Sequence, residues 1–227
     1  VDESVQIFGG AGFCEEYPAA SVYRDERINR IFEGTNEINR LLIAGTLLKK
    51  AILEELPIRD VIFKRIENMI PDVNQSGDLL EKEISATEYC RSLMLVTLNN
   101  LINIYGQDLK NKQWVLEPLA DIVVSLSVMH NGYCRYNQLE NNAHKDNTLL
   151  VLRASISDHY NKITSKVKDI NKHIVDMMNF SSDQEKDDFC KINNSPMDKI
   201  NYYVDEISLK MQICDEFYKN EKYYLNS

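Results

Sequence analysis

Apolar and polar residues follow one another along this chain with the spacing of amphipathic helices. In one such stretch, apolar residues recur at helical spacing at Ile38, Leu41, Leu42, Ile43, Leu47 and Leu48. No segment alternates apolar and polar residues with the period of two that a half-buried strand shows. The pattern therefore predicts helices at about 18–29, 36–56, 58–70, 79–105, 112–140, 146–178 and 197–217.

The later helices each carry an apolar stripe that we expect to face a core. The stripe of 112–140 consists of Trp114, Leu116, Leu119, Ile122, Val123, Leu126 and Met129. The stripe of 146–178 consists of Leu149, Leu152, Ile156, Ile163 and Val167, and that of 197–217 of Ile200, Val204, Ile207, Met211 and Cys214. Only eight glycines and five prolines interrupt these patterns. The predicted fold class is all-α: a helical bundle followed by a second, appended helical bundle.

A run of turn-forming residues divides the pattern. Residues 71–78, Pro-Asp-Val-Asn-Gln-Ser-Gly-Asp, combine helix breakers with polar side chains. We place a domain boundary there, which gives one domain at 1–72 and a second at 79–227. Residues 181–195 form another polar, irregular segment.

Charge and composition narrow the possible functions. The chain of 227 residues has a net charge of −9, which argues against nucleic-acid binding and against strong attachment to anionic lipid. No run approaches the 18 apolar residues of a membrane-spanning helix, and the first residues do not form a signal peptide, so we expect a protein that is not secreted. The five cysteines form no Cys-x-x-Cys pair and the four histidines no ligand motif. The sequence therefore predicts free thiols and no metal site.

Two phrases near the start stand out chemically. Residues 6–13, Gln-Ile-Phe-Gly-Gly-Ala-Gly-Phe, place three glycines in four positions, which lets the backbone reach positive φ and approach a ligand closely. Residues 31–38, Ile-Phe-Glu-Gly-Thr-Asn-Glu-Ile, place Glu33 just before a helix that Thr35 or Asn36 can cap. Its neighbours Ile31 and Phe32 are expected to desolvate Glu33 in part and to raise its pKa toward that of a general base.

The residues alone also allow a purely structural role for each of these two phrases. A glycine-rich turn after a helix usually serves as a C-cap and a chain reversal. A Glu near a helix N-terminus usually complements the helix dipole at the surface.

The stretch 5–45 as a whole resembles the C-terminal part of the flavin-dependent acyl-CoA dehydrogenases. Residues 6–13 are similar to the family's Gln-x-x-Gly-Gly-x-Gly-aromatic signature, and Glu-Glu-Tyr-Pro, Tyr-Arg-Asp-x-Arg-Ile and Ile-Phe-Glu-Gly-Thr-Asn-Glu-Ile follow in order. Several linked motifs are far more specific than one. The sequence of 30–36 is most similar to the long-chain and very-long-chain branch of the family. Residues 113–121 also resemble the C-terminal helical domain that is appended in the very-long-chain branch. Ser21 departs from the family, which usually has Lys or Arg there.

The resemblance implies an FAD enzyme that oxidises acyl-CoA to trans-2-enoyl-CoA in fatty-acid β-oxidation. It implies that Glu33 is the catalytic base that removes the α-proton of the thioester, and that Gly34 lies against the substrate. It implies that Thr35 and Glu37 face the FAD of their own subunit. The FAD of a neighbouring subunit would be reached by the turn formed by Gln6, Ile7, Phe8, Gly9 and Gly10.

Partners and location follow from the same resemblance. A cofactor contact between subunits implies a homodimer or homotetramer, and electrons are expected to pass to an electron-transfer flavoprotein. The family's N-terminal helical and middle β domains have no counterpart in the sequence, so we expect a C-terminal part that is inactive alone. The expected location is cytoplasmic in a bacterium or on the matrix side of mitochondria, with weak membrane association at most.

Two other functions remain open at this point. One is a non-catalytic helical module for assembly or scaffolding that derives from the same family. The other is an acyl-CoA oxidase, which keeps the flavin chemistry but reduces oxygen directly.

Overall fold

The computed structural model of the chain describes residues 1–56, 60–62, 80–139, 143–178, 182–184, 187 and 205–220. Within these residues the chain is helical and has no strand, which confirms the all-α prediction. The helices are α1 (Asp2–Phe8), α2 (Gly10–Phe13), α3 (Pro18–Ile28), α4 (Asn36–Ile52), α5 (Glu81–Tyr105), α6 (Gln113–Gln138), α7 (Ala143–Met177) and α8 (Glu206–Asn220). A 3₁₀ helix (Gly106–Asn111) joins α5 to α6.

Most predicted helices are present with ends shifted by a few residues. Helix α4 ends at Ile52 rather than at 56 because the chain turns there: Glu54 has a φ of 58°, and the Leu56 N–H donates to the Lys50 carbonyl at 3.3 Å. The pattern did not predict the 3₁₀ helix, in which Asn111 donates to Asp108 at 2.9 Å. The predicted helix 58–70, apart from 60–62, and the predicted linker 71–78 lie outside the described residues.

Helices α5, α6 and α7 pack against one another and form the centre of the bundle. Helix α4 packs on α6, and α8 packs on α7. A single cluster of buried side chains fills the space between them. The stripe predicted for 146–178 is buried throughout, which confirms the prediction for Leu149, Leu152, Ile156, Ile163 and Val167.

The segment before the predicted domain boundary shares this core with the helices after it. Ala44 and Leu48 of α4 are buried in the same cluster as the side chains of α5, α6 and α7. Because residues 71–79 are not described, the division into 1–72 and 79–227 stays a prediction.

Several apolar residues that were predicted to face inward are exposed. Trp114 is 48% exposed; it is the second residue of α6, and its ring lies across His173 at a centroid distance of 4.0 Å instead of entering the core. Met211 of α8 is 62% exposed, and Cys214 is exposed as well. On α4, Ile38 and Leu42, which were identified only by their helical spacing, are 58% and 65% exposed. Helical spacing places these apolar residues on one side of a helix. It does not show whether another part of the chain covers that side.

One charged junction ties three helices together. The Asp121 carboxylate of α6 accepts from Arg40 Nε of α4 at 2.6 Å and from Lys166 Nζ of α7 at 2.8 Å. All three side chains are partly buried. This junction joins α4, whose first turn overlaps residues 31–38, to the centre of the bundle.

Protonation of Asp121 should weaken the junction. Burial raises the pKa of the Asp121 carboxyl, but the hydrogen bonds and charges of Lys166 and Arg40 outweigh burial, so the pKa lies below its ordinary value of 3.8. A carboxyl with a lowered pKa stabilises the fold above its ordinary pKa, and that contribution is lost as pH falls through the folded pKa. We expect Asp121→Asn to lower the urea midpoint at pH 7, and the difference from wild type to shrink as pH falls below the ordinary pKa of 3.8 and through the lowered folded pKa.

The matched control is Asp158→Asn, which breaks an exposed ion pair with Lys162 inside α7. Exposed pairs of this kind contribute about 0.2–1 kcal/mol, so this variant should keep a midpoint close to wild type. Equal midpoint shifts for the two variants would contradict a special role for the junction.

Candidate functional site

The loop between α3 and α4 holds Glu33 in an unusual backbone conformation. Glu33 has a φ of 56° and Gly34 a φ of 93°. Among the described residues other than glycine, only Glu33 and Glu54 have positive φ. A left-handed conformation costs an ordinary residue about 1–2 kcal/mol, and such residues cluster at functional sites. This loop is therefore the candidate site, and the backbone singles out the same Glu33 as the sequence.

Hydrogen bonds to the first turn of α4 hold this loop. The Asn39 side-chain amide donates to the Gly34 carbonyl at 2.9 Å, and the Asn36 N–H donates to the Arg30 carbonyl at 3.2 Å. The Thr35 hydroxyl accepts from the Ile38 N–H at 3.4 Å, so Thr35 is the cap that the sequence predicted. A Cβ on Gly34 would lie 2.9 Å from Asn39 Oδ1. The positive φ favours glycine at Gly34, and a Cβ there would also push aside the Asn39 side chain that binds the Gly34 carbonyl.

The expectation that Ile31 and Phe32 desolvate Glu33 is wrong for this chain. Glu33 is exposed, and both apolar neighbours are exposed beside it. Any desolvation of this carboxylate would therefore have to come from a surface other than its sequence neighbours.

Glu37 lies at the N-terminus of α4 as a charged group. Hydrogen bonds from its own backbone N–H and from the Thr35 hydroxyl lower the pKa of the Glu37 carboxyl, and the positive charges of Arg40 and Arg30 add to this effect. Its side chain is fully exposed. The Glu37 carboxylate is therefore an open hydrogen-bond acceptor beside the Thr35 cap.

The glycine-rich turn lies between α1 and α2. Gly9 ends α1 with a φ of 58°, and its N–H donates to the Gln6 carbonyl at 3.1 Å. Ile7 is 83% exposed, and a Cβ added to Gly9 or Gly10 would meet no atom within 4 Å. The turn therefore presents open backbone, as a contact surface for a ligand or another chain requires. Gln6, Ile7, Phe8, Gly9 and Gly10 all lie in or beside it.

The structure keeps the two phrases in separate places. Glu33, Gly34, Thr35 and Glu37 share the junction of the loop with α4, whereas α1 and α2 pack against α3. A cavity of about 580 Å³ beside the turn is lined by residues of α1, α2 and α3 and by Glu15, but not by Glu33. Within the chain, the two sets of predicted site residues therefore do not form one pocket.

Sequence reasoning missed Asn39, whose amide fixes the Gly34 carbonyl. Asn39 is an ordinary polar residue in the helical pattern, and no spacing rule marks a side chain that reaches back five residues. A capping signal was present only for Thr35 and Asn36.

The described residues show neither a metal-binding cluster nor a membrane-spanning helix. In the part of the chain that the structure describes, no three His, Cys, Asp or Glu side chains are grouped so as to hold a metal ion. Over the same residues, no helix has the length and apolar character needed to cross a bilayer. Cys14, Cys90, Cys134 and Cys214 are free thiols, and burial raises the pKa of Cys90.

A comparison with protein families matches residues 1–48, which contain both phrases, to the family described as acyl-CoA dehydrogenase, C-terminal domain. This stretch is therefore similar to the C-terminal domain of the acyl-CoA dehydrogenases. It contains the left-handed Glu33, the Thr35 cap and the glycine-rich turn.

Acyl-CoA dehydrogenases are also similar to the chain beyond residue 48. A protein of Bacillus subtilis (strain 168) described as a probable acyl-CoA dehydrogenase is 40% identical over 138 residues, 60% of this chain and 23% of that protein. The crystal structure of an acyl-CoA dehydrogenase complexed with FAD from Bacillus anthracis superposes with a TM-score of 0.81 and 28% identity. The superposition covers 99% of this chain and 37% of that one. The acyl-CoA dehydrogenase fold thus includes the helices after residue 80.

The matches do not single out a branch of the family. The mitochondrial short-chain specific acyl-CoA dehydrogenase of Sus scrofa is 57% identical over 47 residues, 21% of this chain and 11% of that enzyme. The long-chain branch that residues 30–36 predicted is therefore not confirmed. The chain spans less than a quarter of the length of the curated relatives described here.

Proposed function

We propose that this chain is the C-terminal part of an FAD-dependent acyl-CoA dehydrogenase that oxidises acyl-CoA to trans-2-enoyl-CoA. The observation that carries the proposal is Glu33, which the loop holds at positive φ beside Gly34 within the stretch that matches the family. A carboxylate on a fixed, exposed loop next to a glycine can approach the α-carbon of a thioester closely.

The residues present fit FAD as the cofactor. The turn at Gly9 and Gly10 presents backbone with open space around it, which suits a large flat ligand. At the N-terminus of α4, the ionised Glu37 carboxylate accepts hydrogen bonds, so it suits a hydroxyl or amine of the cofactor rather than a phosphate. The Bacillus anthracis relative was solved as a complex with FAD, which supports the same assignment.

Glu33 would act as the general base. Its carboxylate accepts the α-proton of the acyl thioester, and a general base of this kind contributes about 10²–10⁴-fold to the rate. When FAD is bound, its flavin supplies the acceptor for the β-hydride and so makes the reaction an oxidation. Gly34 leaves room for the thioester because it adds no side chain beside the base. Exclusion of water from this loop on substrate binding would strengthen the electrostatic interaction of the Glu33 carboxylate with the reacting groups.

Substrate and partners are proposed from the same assignment. The relatives' names include short-chain enzymes, whereas the wording of 30–36 favours long or very long chains; we propose a role in fatty-acid β-oxidation without a fixed chain length. We further propose electron transfer to an electron-transfer flavoprotein and a homodimer or homotetramer. The named relatives are bacterial and mitochondrial, which supports a cytoplasmic or matrix-side location.

A pair of glycine variants tests whether the turn reaches FAD. A Cβ on Gly12 would clash with the Val5 carbonyl oxygen and lie 2.8 Å from Phe8 Cβ, so Gly12→Val should separate α1 from α2 at a cost of about 1–3 kcal/mol. We expect amide exchange in α1 to accelerate about tenfold or more and flavin to be lost. Gly10→Val meets no atom of the chain, so it should lower the flavin-to-protein ratio without changing exchange in α1. Normal flavin occupancy in Gly10→Val would contradict the contact.

The direct test is the flavin spectrum of the full-length protein. We expect a yellow protein whose flavin absorbance bleaches when acyl-CoA is added without oxygen. A series of acyl chain lengths then measures specificity. A colourless protein that binds no FAD would favour the non-catalytic helical module. Stoichiometric peroxide from acyl-CoA under air would favour an acyl-CoA oxidase.

A further inference from the structure

Helix α4 carries the candidate site at its N-terminus but is buried only farther along. Thr35 caps α4, and Asn39 in its first turn holds Gly34. Ile38 and Leu42 in this half of the helix are largely exposed, and complete burial begins at Ala44. The half of α4 that carries the site is therefore packed less tightly against the bundle than the half that follows.

Arg40 is the polar group that joins this half of α4 to the bundle. Its Nε lies 2.6 Å from Asp121 Oδ1, across 81 positions of sequence. Arg40 follows Asn39 directly and lies five residues after Thr35, or roughly 7.5 Å along the helix axis. A rotation or tilt of α4 that breaks this contact would also shift the first turn of the helix, and with it the loop whose Gly34 carbonyl the Asn39 amide binds.

Asp121 is well placed to hold Arg40. Lys166 of α7 binds its second oxygen at 2.8 Å, so the carboxylate is fixed from two sides. Glu117 of α6 and Glu37 of α4 add negative charge around the Arg40 guanidinium. A charged hydrogen bond in such a partly buried position contributes more than an exposed ion pair does.

We propose that Asp121 is a positioning residue for the reaction and that it acts on Glu33 through Arg40 and the first turn of α4. The inference rests on the proposed function, since it assumes that Glu33 is the base. It assigns the helices that follow the matched stretch a part in catalysis: α6 and α7 fix the orientation of the helix that holds the site loop. A misplacement of about 1 Å in such a site can lower the rate about 10²-fold.

The test compares two arginine variants in the full-length protein. Arg40→Met removes the contact between α4 and Asp121. Arg153→Met removes a similar contact between Arg153 of α7 and Glu83 of α5 at 3.0 Å, which does not involve α4. The two arginines are matched in exposure, at 31% and 34%. For each variant we would measure the flavin-to-protein ratio, the melting temperature, and the rate of anaerobic flavin bleaching at saturating acyl-CoA.

We expect Arg40→Met to slow bleaching at saturating substrate at least about tenfold while it keeps its flavin. Arg153→Met should bleach within about twofold of wild type even where it melts at a lower temperature. Asp121→Asn should be slowed like Arg40→Met, and Asp121→Glu should recover part of the rate, because a carboxylate then faces Arg40 again. Should Asp121→Asn fail to fold, the two arginine variants still decide the question.

The outcomes separate this inference from the proposed function. A wild-type protein that never bleaches contradicts the proposed function and, with it, the inference. A wild type that bleaches while Arg40→Met bleaches equally fast overturns the inference alone. Equal slowing of Arg40→Met and Arg153→Met also overturns it, since general loosening of the bundle would then explain the effect.

Discussion

Replacing Glu33 with glutamine in the full-length protein should slow flavin bleaching by acyl-CoA about 10²–10⁴-fold, the usual contribution of a general base. The amide has nearly the shape of the carboxylate but cannot accept the proton. Because Glu33 is exposed and its φ of 56° is set by the loop, the substitution should leave the fold and the flavin content unchanged. Stopped-flow absorbance under anaerobic conditions measures the rate directly.

Glu54→Gln is the matched control for this experiment. Glu54 is the other described glutamate at positive φ, it is also exposed, and it lies just beyond the far end of α4. The same chemical change there should leave the bleaching rate within about twofold of wild type. Bleaching of Glu33→Gln at the wild-type rate would show that another group removes the α-proton.

The helical fold could be predicted from the sequence because burial in a bundle imposes a repeat that is visible along the chain. The stripe from Leu149 to Val167 shows this most clearly, since all five of its predicted inward residues are buried. The repeat does not determine where helices end. Helix α4 stops at Ile52 because Glu54 adopts a left-handed conformation, which no residue preference for glutamate predicts.

Local sequence marked Glu33 and the Thr35 cap but not the arrangement around them. Capping depends on residues three apart, so Thr35 could be recognised from its position alone. The exposure of Glu33 depends on the course of the chain between α3 and α4, and the contact of Arg40 with Asp121 joins residues 81 positions apart. Neither relation leaves a periodic signal in a single sequence.

Trp114 and Leu119 occupy the same predicted stripe of α6, yet we expect very different costs when each is replaced by alanine. Leu119 is completely buried, so Leu119→Ala should leave a cavity and lower the free energy of unfolding by about 2–5 kcal/mol. Trp114 is half exposed and contacts His173 and Tyr105 at the surface of the bundle. Trp114→Ala should cost less than Leu119→Ala, because it leaves no closed cavity and its ring contacts are worth only about 0.5–1.5 kcal/mol beyond the area that they bury. Urea denaturation followed by circular dichroism measures both.

Leu119→Met is the control for the larger effect. Methionine nearly conserves the volume of leucine, so this variant should cost less than about 1.5 kcal/mol. The comparison with Leu119→Ala therefore separates the cost of a cavity from the cost of any substitution at this position. Unchanged slopes of the denaturation curves would show that the midpoints report stability rather than a more compact unfolded chain. A loss for Trp114→Ala as large as that for Leu119→Ala would mean that the indole is buried, as the helical repeat predicted. Its contacts with His173 and Tyr105 would then not account for its place in the fold.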